Sequence, residues 1–494
     1  MQSAMAVVNQ GKQVLMLVPE ISLTPQIAAK FKARFKNRVA VLHSRLSLGE
    51  RYDTYRKIAR QEVDIVVGAR SAIFAPLLNI GLIILDEEHD ASYKQESMPR
   101  YHTRDLALKR SKTHQATLVF GSASPSIETY ARAQKGLYHL IELPVRATGS
   151  QLATPIIVDL GDELRKGNYS YFSDVFKRSL MRCIERGEQA LVLVNRRGYA
   201  TYLECTNCHQ IAKCPHCDVS LTYHKKDQRL KCHYCGYESN ITSRCPTCNG
   251  ELVFQKAPGI ERIAELLEST LDNCKVIRYD FDTTHKKNGH QKLLDAFKNQ
   301  EGNVLLGTQM IAKGLDFPNV SLVAVLDADQ SLNIPDFRAY EKTFQLILQV
   351  AGRAGRHQNQ SQVIIQTYNP QQYAIVCGAN QDYLSFYQQE IEMRKQGLYP
   401  PFCHMMSILV YYKIENEAYN VAFQLATYIK NNCADVIVLG PSTSLISKMN
   451  DDYRFRILIK YKKQENLFET IQSALSLLKT KVKIDIDVNP YSQL

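Results

Sequence analysis

The chain has 494 residues, 45% of them hydrophobic and 22% charged, with no low-complexity tract and no tryptophan. That length suits roughly three domains, and the composition excludes a disordered, collagen-like or membrane-spanning protein, because no uncharged apolar run reaches about 18 residues. Lys and Arg exceed Asp and Glu by 12 charges, which favours a polyanionic partner such as nucleic acid, although a modestly basic solvated surface would give the same excess.

In chain order, short apolar runs of strand length occur at 13–18, 39–43, 64–69, 82–86 and 116–120, separated by amphipathic segments such as 24–36 and 50–61. Buried strands alternating with helices predict a parallel sheet covered on both faces. A polar connector with Gly and Pro follows at 144–172, and the pattern then returns at 189–194, 274–279, 303–306, 320–326 and 361–366. Two α/β lobes are therefore expected. Past residue 398 the order changes to strand 405–413, helix 416–431, strand 435–439, strand 453–461, helix 464–478 and strand 481–487. That order predicts a compact split-βαβ domain, bounded near Pro400-Pro401 where a helix does not readily continue.

Eight of the 13 cysteines form four C-x-x-C pairs: Cys205/Cys208, Cys214/Cys217, Cys232/Cys235 and Cys245/Cys248. Four thiolates hold one tetrahedral zinc, so eight supply two structural sites. Disulfides need an oxidising compartment, and nothing resembling a signal peptide is visible, so a cytoplasmic protein is expected. A redox C-x-x-C is normally single. A zinc hydrolase is a remote reading, since its metal needs an open coordination position. Cys183, Cys274, Cys377, Cys403 and Cys433 read as small buried apolar residues.

Asp86-Glu87-Glu88-His89 follows an apolar run directly. An Asp at the carboxyl end of a parallel strand can hold Mg²⁺ against nucleotide phosphates, and the next Glu can orient or deprotonate a water. On the residues alone an acidic surface turn is an equal reading. Gly121-Ser122-Ala123-Ser124-Pro125 follows the next strand, and GTQMIAKGLDFP at 307–318 follows one in the second lobe. QVAGRAGR at 349–356 ends a helical stretch with Arg353 and Arg356 three apart, on one helical face if the helix continues. Either arginine could neutralise phosphoryl charge, though a single arginine is more often a solvated surface charge.

PEISLTPQ at 19–26, DEEHDASYKQ at 86–95, GSASPS at 121–126, NRRGY at 195–199, GTQMIAKGLDFP and QVAGRAGR stand in superfamily 2 helicase order. With the eight-cysteine insert after NRRGY and DVNP at 487–490, the chain resembles the primosomal protein N-prime (PriA) family of bacterial replication-restart helicases over essentially its whole length. The resemblance implies an α/β fold of two RecA-like lobes with an inserted two-zinc module and a C-terminal α+β domain. Its parts would be lobe 1 at 1–145, a connector and the start of lobe 2 at 146–203, the zinc insert at 204–250, the rest of lobe 2 at 251–397 and the C-terminal domain at 398–494. It implies an ATP site from Asp86 and Glu87, His89 coupling it to GSAS, and Gly314, Asp316, Gln349, Arg353 and Arg356 from the second lobe, with ATP and Mg²⁺ as cofactors. Outer cysteines would pair with outer (205, 208, 245, 248) and inner with inner (214, 217, 232, 235), giving two structural Zn²⁺. Tyr93, Arg100, Tyr101 and His102 would form a loop that senses single-stranded DNA by stacking; ordinary half-buried packing is the alternative. Forked DNA, single-strand-binding protein and other primosome proteins would be partners of a monomer with 3′→5′ polarity.

The sequence departs from the family in one respect: it holds no G-x-x-x-x-G-K-[ST], and Gly11-Lys12 leads into a strand. Without backbone N–H groups and a lysine for the phosphates, no ATPase is expected of this chain. Met1 falls where the family has passed its P-loop, so an incomplete reading frame is expected, with a naturally truncated protein as the alternative. The first strand would be missing, leaving an unpaired apolar edge. Ser124 stands where the family commonly has threonine. The rival reading of function is a non-catalytic DNA-binding and assembly module.

Overall fold

Each apolar run of the first lobe becomes a strand: β1 (Gln13–Leu17), β2 (Val39–Leu42), β3 (Ile65–Gly68), β4 (Ile80–Leu85) and β5 (Thr117–Phe120). They form one parallel sheet in the order β2-β3-β1-β4-β5. The structure is a computed structural model that describes residues 1–19, 24–43, 46–143, 155–194, 202–208, 210–216, 219–224, 228–232, 235–241, 243–255, 259–280, 283, 289–308, 311, 317–352, 361–463, 465–478 and 481–491. Its residues fall into two compact units, Met1–Tyr138 and His139–Leu494. β1 and β3 are buried at every position, as strands covered on both faces must be. β5 differs from the buried strand expected. It lies at the sheet edge with Thr117 and Val119 exposed, Leu118 and Phe120 half-buried, and β4 its one partner among the described strands.

In the second unit β6 (Ile156–Asp159), β7 (Gln189–Leu193), β13 (Val276–Tyr279), β14 (Val304–Gly307), β15 (Val320–Val325) and β16 (Gln362–Thr367) build a parallel sheet ordered β13-β14-β7-β15-β16-β6. All of β14 and β15 is buried. Gly307 ends β14 where a Cβ would lie 2.5 Å from Tyr279 O, so only glycine lets the strands close here.

Between β7 and β13 the chain leaves the sheet as a small β module. β8 (Tyr202–Cys205) pairs antiparallel with β12 (Leu252–Gln255), while β9 (Thr222–His224), β10 (Arg229–Lys231) and β11 (Glu238–Asn240) make a three-stranded sheet. The C-terminal part holds β17 (His404–Tyr412), helix Glu415–Asn432, β18 (Val436–Met449), β19 (Asp452–Tyr461), helix Glu465–Leu477 and β20 (Lys483–Val488). Its sheet runs β18-β19-β17-β20, antiparallel throughout, and both helices share its core. The βαββαβ order expected is present; β18 is far longer than the strand expected at 435–439. Module and C-terminal sheet meet, because Leu221, Leu230 and Cys232 share one buried cluster with Phe337, Tyr399, Met405 and Leu458.

Candidate nucleotide and metal sites

The turn at 86–90 begins where β4 leaves the sheet, at the edge where open α/β sheets bind ligands. It is pinned from two strands: Asp86 N donates to Leu17 O at 3.0 Å, and Glu88 N donates to Gly121 O at 3.0 Å. Pinning holds Glu87 at φ 45°, a left-handed backbone that costs a residue other than glycine about 1–3 kcal/mol and is found at functional turns. Burial raises the Asp86 carboxyl pKa, and no Lys or Arg pairs with it among the described residues. A half-buried carboxylate with no cation beside it among the described residues fits a divalent ion such as Mg²⁺.

Glu87 Oε2 lies 3.7 Å from His89 Nδ1. That nitrogen shares a 2.6 Å hydrogen bond with Ser122 Oγ, which also accepts from Ser124 N at 3.0 Å. The DEEH and GSAS segments are thereby joined through side chains. Glu88 acts differently: fully buried, it accepts from Ser126 N at 2.6 Å and Thr129 Oγ1 at 3.0 Å, with Arg104 Nη1 at 3.5 Å. Ser126 also caps helix Ile127–Gln134. Sequence reasoning missed Glu88, Arg104 and Thr129 as a lock between these segments; the S-x-x-T cap was the available signal.

The proposed DNA-sensing loop divides in two. Tyr93 is a correction, because its ring is wholly buried, so no base can stack on it here. Its hydroxyl reaches Asp86 O at 2.7 Å and Leu17 O at 3.0 Å, so it braces the acidic turn. His102 is also buried, and its Nδ1 accepts from Arg104 N at 3.1 Å, capping helix Thr103–His114. Arg100 and Tyr101 remain at the surface, half-buried. Tyr101 packs edge-on to Phe74 with centroids 5.0 Å apart, and Phe74 is 52% exposed, a surface aromatic that no sequence motif had marked.

In the second unit Gln349 is half-buried in the last turn of helix Ala339–Ala351. Arg394, buried in helix Tyr383–Gln396, meets Glu341 of that first helix at 2.6 Å and Glu390 at 2.8 Å, fixing how the two helices pack. Gly314, Asp316, Arg353 and Arg356 lie outside the described residues, as does NRRGY.

The cysteines gather as metal sites do. Cys205 Sγ lies 3.4 Å from Cys248 Sγ and Cys208 Sγ 3.6 Å from Cys245 Sγ, close to the roughly 3.8 Å expected of thiolates sharing one tetrahedral zinc. All four ligand atoms lie within 4.8 Å of one another, as do those of Cys214, Cys232 and Cys235. Cys217 lies outside the described residues. Asn207 N donates to Cys205 Sγ and Thr247 N to Cys245 Sγ, both at 3.4 Å, as suits thiolate acceptors. Gly250 completes this cradle: a Cβ there would lie 2.8 Å from Cys205 Sγ. The Gly250 N–H and the neighbouring thiols pull Cys248 down in pKa, whereas burial pushes Cys208 up. Thiols that share one site titrate together. The residues present fit zinc.

Known proteins bear on both sites. The family described as DEAD/DEAH box helicase matches residues 1–133, and the helicase conserved C-terminal domain matches 248–358. The PriA DNA helicase Cys-rich region (CRR) domain matches 214–239, and the primosomal protein N C-terminal domain matches 395–491. The replication restart protein PriA of Bacillus subtilis (strain 168) is 48% identical over 500 residues, covering 100% of this chain and 62% of its own length. The protein of that name in Treponema pallidum (strain Nichols) is 36% identical, covering 100% of this chain and 75% of its own length. The chain thus spans less than two thirds of the Bacillus relative. Among solved structures, RecG bound to a three-way DNA junction is 14% identical with a TM-score of 0.44, over 80% of this chain and 42% of that one.

Proposed function

The chain belongs to the PriA family of replication restart helicases, and from that premise we propose that it carries motor, zinc and C-terminal parts of an ATP-driven 3′→5′ DNA helicase. In this reading the protein engages forked and single-stranded DNA, single-strand-binding protein and other primosome proteins, and promotes reloading of the replicative helicase. The observation carrying it is the Asp86–His89 turn, whose Nδ1 of His89 meets Ser122 Oγ at 2.6 Å. Mg²⁺ at Asp86 would neutralise charge on nucleotide phosphates. Asp86 supplies a ligand, Glu87 orients or deprotonates the attacking water, and His89 carries the state of the turn to Ser122. Gln349, Arg353 and Arg356, with Gly314 and Asp316, are assigned to the nucleotide from the second lobe. Two structural Zn²⁺ are assigned to the cysteines, with Cys217 completing the inner set. Tyr101 and Arg100 are assigned to single-stranded DNA. No helix among the described residues is long and apolar enough to cross a membrane.

Binding of forked and single-stranded DNA by the full chain, read by fluorescence anisotropy over a salt series, tests this. Affinity falling steeply with salt is expected; no binding at low salt overturns the proposal. A second reading, a non-catalytic DNA-binding and assembly module, rests on the zinc module and the C-terminal sheet sharing one buried cluster. It expects DNA binding unaffected by nucleotide and no ATP hydrolysis from this chain. DNA-stimulated hydrolysis abolished by Asp86→Asn would overturn it.

A further inference from the structure

A cavity of about 570 Å³ opens between the zinc module and the second motor sheet, within the second unit. Its module side carries Lys213, Tyr237 and Asn240, and its motor side Asn333, Tyr340 and Gln372. Leu221 and Leu230 lie on the apolar floor and are themselves buried in the cluster that seats the inner cysteines. No Asp or Glu lines it among the described residues. The size suits a group of nucleotide dimensions.

Committed and uncommitted groups on the wall differ in a way that selects a ligand. The Asn369 amide is held by Asp329 Oδ1 at 2.7 Å, and Gln210 Oε1 takes the Thr247 hydroxyl at 2.7 Å. Gln372 Oε1 caps helix Tyr373–Asn380 by accepting from Ala374 N at 2.6 Å, which leaves its NH₂ available. The amides of Asn240 and Asn333 have no partner among the described residues. Lys213 Nζ donates to Tyr340 OH at 2.9 Å and lies 5.5 Å from its ring centroid, so a cation stands at the rim, at the hydroxyl end of this ring.

From this we propose that the cavity is a binding site for an unpaired nucleobase of single-stranded DNA, with its phosphate toward Lys213. Side-chain amides present paired donors and acceptors that match base edges, and a tyrosine face stacks on any base. An apolar peptide would bury the three amides without partners, at about 1–3 kcal/mol each. An acidic peptide would find one cation among the described lining residues. The site would tie the strand to the seat of the zinc module, far in sequence from the DEEH turn. The inference rests on the DNA-binding reading above.

The test uses the full zinc-loaded chain. Unsubstituted chain is first titrated with labelled single-stranded oligodeoxynucleotide and with blunt duplex. The same oligonucleotide bearing 5-iodouracil is then photocrosslinked, and the adducts are located by mass spectrometry. Crosslinks at Tyr237 or Tyr340 are expected. Tyr340→Ala is expected to weaken single-strand binding about tenfold, and Tyr340→Phe to restore it. Gln372→Glu keeps the helix cap while placing a negative charge in the cavity, and should weaken single-strand binding with unchanged zinc content. Duplex binding should be unmoved in all three. Wild-type affinity in both Tyr340→Ala and Gln372→Glu, with crosslinks confined elsewhere, overturns the site and leaves the family function standing. Failure of the unsubstituted chain to bind any DNA overturns both.

Discussion

His89 Nδ1 and Ser122 Oγ meet at 2.6 Å, joining the turn after β4 to the turn after β5. His89 is 4% exposed, so a nitrogen that loses this partner finds little water. Ser122→Ala also deprives Ser124 N of its acceptor. A loss of about 1–3 kcal/mol is expected, the usual cost of orphaning a buried polar group. Ser122→Thr keeps the hydroxyl and should cost less than half as much. Urea unfolding of the full chain gives the stability difference. Hydrogen exchange at 121–126 shows whether the loosening is local; equal stability of wild type and Ser122→Ala would refute the link.

Asp86 carries a stability penalty that binding can relieve. Burial raises its pKa, so the ionised form at neutral pH is held at a cost. Asp86→Asn removes the charge and should raise the melting midpoint at pH 7 by about 2 °C, as happens when a functional group is neutralised. Millimolar Mg²⁺ should stabilise the wild-type chain and leave Asp86→Asn unmoved. Equal Mg²⁺ shifts in both chains would remove Asp86 from the metal site.

The two cysteine groups should respond unequally to loss of metal. Metal analysis of the purified chain is expected to give about two Zn per chain; a value near one sinks the paired assignment. Cys214 and Cys232 belong to the cluster that also holds Phe337, Met405 and Leu458, whereas the outer cysteines do not. Cys232→Ser should therefore expose the C-terminal domain to protease as well as the module. Cys248→Ser should loosen the module alone. Limited proteolysis with mass mapping reads the difference, and identical cleavage patterns would count against a shared core.

Local pattern made much of this legible. The run at 320–326 is apolar except for Ser321 because β15 is buried on both faces, and the four C-x-x-C pairs point to metal because the ligands are neighbours in sequence. The acidic turn was legible in its place after a strand, while its support was not. Arg394 meets Glu341 across 53 positions, and Gln366 Oε1 takes the Ser173 N–H across 193. Such partners leave no periodicity in the chain. Tyr93 misled for a related reason: a tyrosine in a loop looks the same whether its ring faces solvent or core, and the two backbone carbonyls that hold it belong to β1 and the acidic turn. The exposed edge at β5 shows the converse, since TLVF reads as buried but its position in the sheet order decides.

Asp327, at the end of β15, gives the chain a pH dependence of its own. Burial first, and then the charges of Asp329 and Glu204, push its carboxyl up to about 7, against the bonds from Gln330. An unfolded Asp titrates near pH 3.9. Between those values the folded chain holds a proton that the unfolded chain has lost. Stability from this group is therefore full below about pH 4 and lost as pH rises through about 7. Asp327→Asn imitates the protonated form at every pH, so wild type and variant should melt together below about pH 4 and diverge progressively up to about pH 8, the variant more stable there by on the order of a few kcal/mol. Melting curves across that range decide it. A wild-type midpoint that tracks the variant at both ends would show Asp327 ionised in the folded chain throughout.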